Sequence, residues 1–353
     1  MSAPRRARLT RLDNNADAES AGRYCDSFKY NDVASGTCDD ISLEFSDRDK
    51  KWINGWFPAK GDVLKPTIVL ENWTKEGDTK KLACGQYEVD DFSFKGTPIR
   101  MTMKALAISS ASGFKATKRT KTYENITIKE ICADVANRNG LSLSYSGISL
   151  KLEKVSQDDN DDCSFLGTLI PKYGMAMKIY SNKLVIFKEA DYEAKAVVAT
   201  LAPTEGNGVI GFEPDWSWNT AVVGTYTGVK YQYANSDKAQ TFTVEAGSGS
   251  RILTSNEAAD SLTEATVIAL AALNNANKGT TTMKVTIKAD PKIIATSTVQ
   301  IQGLGKLNGK YFVENVAWTV GGGGACKQTL TLRKIETRFT SASSYSTKIE
   351  EES

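Results

Sequence analysis

The chain has 353 residues, enough for two or three domains of ordinary size, and its 41% hydrophobic and 24% charged residues are a balance that folds. A net charge of +2 gives no general pull toward nucleic acid or an anionic membrane, and no apolar run approaches the roughly 20 residues of a membrane helix. Histidine is absent and Cys25, Cys38, Cys84, Cys132, Cys163 and Cys326 form no Cys-x-x-Cys pair, which argues against His-dependent triads, His metal sites and zinc ribbons and leaves free buried thiols.

Residues 1–12 carry Arg5, Arg6 and Arg8 with no apolar stretch behind them, so a secretory signal is not expected and synthesis in the cytoplasm is. After a polar loop at 13–20, Tyr24, Phe28 and Tyr30 bring in strand character, and Ile41, Leu43 and Phe45 alternate at the strand period. A charged turn at 46–51 leads to Trp52, Trp56 and Phe57, read as exposed aromatics over a barrel mouth or sheet end. Gly61 turns the chain toward Ile68, Val69 and Leu70. Together with Trp73, these tryptophans could stack a sugar, although such residues are more commonly core or interface aromatics. The short, regularly spaced strands predict a barrel or sandwich over residues 1–112.

That segment ends in a stretch used twice. Gly85, Tyr87, Val89, Asp90, Asp91, Phe92 and Phe94 return as Gly309, Tyr311, Val313, Glu314, Asn315, Val316 and Trp318. A second alternating run follows each copy: Ile99, Met101 and Met103, then Leu330 and Leu332. The same strand–turn–strand unit is thus expected to close two β domains.

A small α/β module is predicted at 113–200. It opens on Lys115, Lys118, Arg119 and Lys121, read as a solvated linker face in preference to a phosphate or nucleic-acid patch. Thr127-x-x-Glu130 is a capping box, and Ile128, Ile131, Cys132, Val135 and Ala136 form one helix face ending at Gly140. Asp158, Asp159, Asp161 and Asp162 lack the offsets of a calcium loop, so they read as dipole-favoured charge before a short helix at 164–173. A hairpin at 175–187 closes the module.

In the last domain, 201–338, strands are expected at Val222 and Val223, 229–233, 242–244, 283–287 and 299–301. Thr254-x-x-Glu257 reads as the cap of an inserted helix at 255–278. The Ser-rich end, 339–353, is expected to be disordered. The fold class is therefore mainly β with an α/β insert.

Four blocks, in order, resemble the phage late control protein D family, the baseplate hub proteins of contractile phage tails, defective prophages and phage-tail-like bacteriocins. They are residues 36–49 with Trp52, Trp56 and Gly61; residues 117–121 with the helix at 127–136; Phe165 to Gly174 with 184–187; and Gly303 to Tyr311 with 329–333. The resemblance covers about residues 5–338; one departure is Trp318, where many relatives place a His. It implies two tail-tube-like β-barrels per chain and a homotrimer whose six barrels meet a hexameric tail tube above and a trimeric spike below. It further implies contacts with other baseplate proteins, the tape measure protein among them, and residence in the virion or tail-like particle.

On that basis the chain is expected to be a structural hub, not an enzyme, with no catalytic residue, cofactor, metal, specific nucleic-acid binding or membrane anchor. Candidate interface residues are Trp52, Trp56 and Phe57. The alternative is a tail protein that binds the cell wall or degrades peptidoglycan, since a carboxylate pair drawn from Asp90, Asp91 and Glu314 would need no histidine. Transcriptional control finds no helix-turn-helix or basic excess to support it.

Overall fold

Alternating side chains carry about half of the described residues into strands in the computed structural model, which describes residues 5–10, 22–36, 38–107, 113–222, 224–321 and 323–349. The first segment supplies β1 (Arg6–Thr10), β2 (Cys25–Val33), β3 (Asp40–Ser46), β4 (Val63–Leu64), β5 (Thr67–Glu71), β6 (Thr79–Ala83), β7 (Tyr87–Lys95) and β8 (Arg100–Leu106). Strands β1, β5 and β6 form a small sheet of their own, with Leu9, Ile68 and Leu70 turned into the core.

The middle segment supplies β9 (Lys118–Thr127), α1 (Ile128–Arg138), β10 (Ser142–Ser146), β11 (Lys151–Asp161), α2 (Asp162–Lys172), β12 (Ala176–Tyr180), β13 (Lys183–Phe187) and α3 (Glu189–Glu193). The Thr127–Glu130 capping box is present, and all five predicted apolar residues of α1 are buried. Asp161 caps α2, while the buried Asp162 accepts from Arg138, Asn139 and Gln157. The acidic run therefore has structural partners. The basic run before it is not a linker: β9 and β11 pair as a long ribbon, with Lys118 against Asp159 across the strands and Lys121 against Asp134 of α1. Alternation is weak there because nearly every side chain faces solvent.

The last segment supplies β14 (Ala199–Ala202), β15 (Ile210–Gly211), β16 (Ser217–Thr220), β17 (Gly228–Asn235), β18 (Gln240–Gly247), β19 (Ile252–Ser255), α4 (Leu262–Asn277), β20 (Thr281–Lys288), β21 (Thr298–Ile301), β22 (Gly309–Gly321), β23 (Cys326–Lys334) and β24 (Ser343–Lys348). Three expectations are corrected here. Val222 lies outside any strand and is exposed, while Val223 falls outside the described residues. Thr254 lies in β19, which pairs in parallel with β17, so the cap moves to Ser261, whose side chain accepts from Glu264 N. Sheet pairing of 252–255 outcompetes a local capping signal. The polar tail contributes β24, which pairs antiparallel with β18. Its side chains are all exposed, so main-chain pairing to an open edge orders it.

The principal sheet has twelve strands and draws on both the first and last segments. Among the described residues no sheet closes on itself.

Candidate assembly surfaces

The duplicated stretch is the same object twice. Gly85 and Gly309 both take positive φ, +103° and +152°, and deliver the chain into β7 and β22. Tyr87 is buried and its hydroxyl donates to the Cys84 carbonyl at 2.7 Å; Tyr311 is buried and donates to the Leu307 carbonyl at 2.7 Å. Burial pushes both phenols above their ordinary range. The register then slips between Val89 and Asp91 and between Val313 and Asn315. A β-bulge thus falls on the acidic residue of each copy, Asp90 and Glu314.

The neighbours repeat as well. Antiparallel pairing runs β7-β8-β3-β2 in the first block and β22-β23-β20-β16 in the second. Tyr30 of β2 meets the Tyr87 ring at 6.2 Å, and Trp218 of β16 donates from Nε1 to the Tyr311 hydroxyl at 3.2 Å. The blocks join where β2 pairs antiparallel with β22, Tyr30 opposite Trp318, and Asn315 Nδ2 donates to Asn31 Oδ1 across the joint at 2.6 Å. One face of the joined blocks is apolar, with Leu43, Met103, Val285 and Leu330 buried. The other is polar, with Glu44, Lys104, Lys284 and Lys327 exposed.

Asp32 clasps three parts of the chain. Its carboxylate accepts from Ala295 N of the second block at 2.8 Å and pairs with Lys178 of β12 in the middle module. Lys178 also lies 3.2 Å from Asp39, whose Oδ1 accepts from Val33 N. Two carboxylates thus face one buried ammonium. Burial, with Asp32 adding to it against the pull of Lys178, pushes the Asp39 carboxyl up to about 7. A raised carboxyl contributes stability that is fully present below its unfolded value near 3.8 and lost as pH rises through about 7. Wild type is therefore expected to lose stability relative to Asp39→Asn between about pH 4 and pH 8 in urea melts; a gap independent of pH would place the buried proton elsewhere.

Of the candidate interface residues, Trp52 is corrected to core. Asp47 accepts from both Trp52 N and Ile53 N, folding the turn inward, and Trp52 packs 4.4 Å from Phe45. Trp56 is half-buried against Tyr24 and Trp52. Phe57 is 56% exposed, stacked on Phe94 and edge-on to Phe92 of β7. Trp73 is buried and donates to the Ala289 carbonyl, so these tryptophans form no exposed sugar platform. The acids Asp90 and Glu314 are separated by β8, β3 and β2, on the order of 19 Å at the usual strand spacing. A glycosidase pair needs roughly 5–9.5 Å. Glu314 is instead engaged by Arg333 at 3.0 Å. The paired strand edges went unread in the sequence; the aromatic ends of the two copies, Phe94 and Trp318, were the available signal.

No family profile matches the chain. A curated relative from Escherichia phage P2, described as a probable baseplate hub protein, is 25% identical over 153 residues, which are 42% of this chain and 37% of the relative. The match thus spans little more than a third of that protein's length. Among solved structures, a tail protein from Neisseria meningitidis MC58 superposes with a TM-score of 0.68 at 9% identity, over 94% of this chain and 97% of the other. The 43 kDa tail protein of prophage MuSo2 from Shewanella oneidensis gives 0.66 at 10% identity, over 94% and 98%. The resemblance read from the sequence is met by these findings, and the fold is that of phage tail proteins.

Proposed function

We propose that this chain, built on the fold of phage tail proteins, is a structural baseplate hub of a contractile tail or tail-like particle. Three copies form a ring of six blocks that joins the hexameric tail tube to the trimeric spike. The observation that carries this is the doubled block: one four-strand order, one tyrosine bond and one bulge, repeated within one sheet. A duplicated unit in a closed trimer presents six similar faces to a six-fold partner and three to a three-fold one. Each block serves as a tube-like barrel once its neighbours are in place, with the module at 113–200 outside them. The polar face carrying Lys104, Lys284 and Glu44 suits a water-filled lumen. The work is mechanical, with no reaction of its own, and its partners are tube, spike and other baseplate proteins.

Light scattering across a size-exclusion peak tests the reading. Three copies of the chain per particle are expected, either alone or with the mass of bound spike protein added to them; a monomer under both conditions would sink it.

A further inference from the structure

The internal joint between the blocks shows what their outer edges lack. Aligned on the bulge, β7 corresponds to β22 and β2 to β16, so Phe92 and Phe94 match Val316 and Trp318, and Tyr30 and Phe28 match Trp218 and Trp216. At the joint, β22 pairs with β21 through Gly309–Phe312 and with β2 through Asn315–Gly321. At the outer end, β7 pairs with β4 only at Tyr87 and Glu88, and no described strand pairs with the side of Asp91 to Lys95 away from β8. Likewise, β16 pairs only with β20 among the described strands.

Burial records the same absence. Val316, Trp318 and Phe28 are 0% exposed and Tyr30 is 4% exposed. Their counterparts Phe92, Phe94, Trp216 and Trp218 are half-exposed. Beside the two open edges stand Phe57, 56% exposed, and Val222, 69% exposed. Such an edge, flanked by apolar side chains, is a template for another strand.

We propose that β7 residues 91–95 of one copy pair antiparallel with β16 residues 217–220 of a second copy, in the register of the β2–β22 joint. Phe94 then lies opposite Trp218 of the neighbouring copy, as Tyr30 lies opposite Trp318 within the chain. Ser93 faces Asn219 and Phe92 faces Thr220. The internal bond from Asn315 to Asn31 finds its counterpart in Asn219 donating to the Asp91 carboxylate, with a charged acceptor in place of a neutral one. The contact is head-to-tail, so it propagates around a ring and leaves neither of these two edges open when the ring closes. The pairing follows from the duplication; the number of copies rests on the hub reading above.

The test is the double variant Ser93→Cys, Asn219→Cys, oxidised mildly and run on a non-reducing gel. Directly opposed residues lie about 4.5–5.5 Å apart at Cα, within disulfide range. A covalent ladder ending at trimer is expected, with single variants and wild type remaining monomeric on the gel. The pair Ser93→Cys, Thr220→Cys, one residue out of register, is expected not to cross-link. Phe94→Asp, on a half-exposed side chain, should leave the thermal melt in place and weaken self-association by about tenfold or more. A trimer by mass that fails to cross-link overturns this interface and leaves the hub reading standing. A ladder running past three supports the interface and overturns the three-fold ring. A chain that neither associates nor cross-links overturns both.

Discussion

Replacing Lys178 by methionine is expected to cost about 3–5 kcal/mol of unfolding free energy, the range for breaking a buried ion pair by removing one partner. Lys178 is the cation shared by Asp32 and Asp39, both buried, and the two carboxylates hold the ammonium above the ordinary lysine range although burial pulls the other way. Without it, two carboxylates face each other in the core with only main-chain donors left to them, Ala295 N and Val33 N. Without Lys178 the Asp39 carboxyl, already raised, must take up a proton to stay buried; adding Asp39→Asn to Lys178→Met puts a neutral group there at every pH and should restore part of the loss. Chemical denaturation of the two variants measures this; a double variant no more stable than the single one would show that packing, not charge, sets the cost. Asp32 reaches both blocks and the module, so the variant should also loosen the packing of these three parts against one another.

The second large effect is at Arg333. This side chain is 3% exposed and forms ion pairs with Glu193 at 2.6 Å, Glu314 at 3.0 Å and Glu189 at 3.5 Å, contacts of charge rather than aligned hydrogen bonds. Its guanidinium also lies 4.3 Å from the Phe312 ring centroid. Arg338 and Lys278 remain to balance the glutamates, so Arg333→Met is expected to cost about 3 kcal/mol, the lower end of the range. Burial would raise the Glu193 carboxyl, but Arg338 and Arg333 hold it below its ordinary value. A lowered carboxyl contributes stability above its unfolded value, near 4.5, that is lost as pH falls. The gap between wild type and Arg333→Met should therefore narrow as pH falls below about 4.5 in urea melts. A gap that stays constant would assign the loss to the aromatic contact.

Features set by neighbours in the chain were legible before any coordinates. The Thr127–Glu130 box and the buried face of α1 depend on spacing within one turn, and the duplicated stretch was visible in its own residues, whereas its bulge came from the strand pairing. Where long-range pairing competes with a local signal, the local signal loses. Thr254 was drawn into β19, Ser-rich residues 343–348 found the edge of β18, and Trp52 was folded inward by Asp47.

Periodicity says which side of a strand is buried but not which strand lies beside it, because main-chain hydrogen bonds are indifferent to side-chain identity. Legible in the sequence alone were the repeated strand unit, the capped helix between its two copies and the absence of histidine. The joining of the units through β2 and β22 came from pairing across hundreds of residues. It depends on the burial of Tyr30 and Trp318 in facing strands and on Asp32 reaching Lys178 and Ala295, arrangements that exist only once the distant segments are packed together.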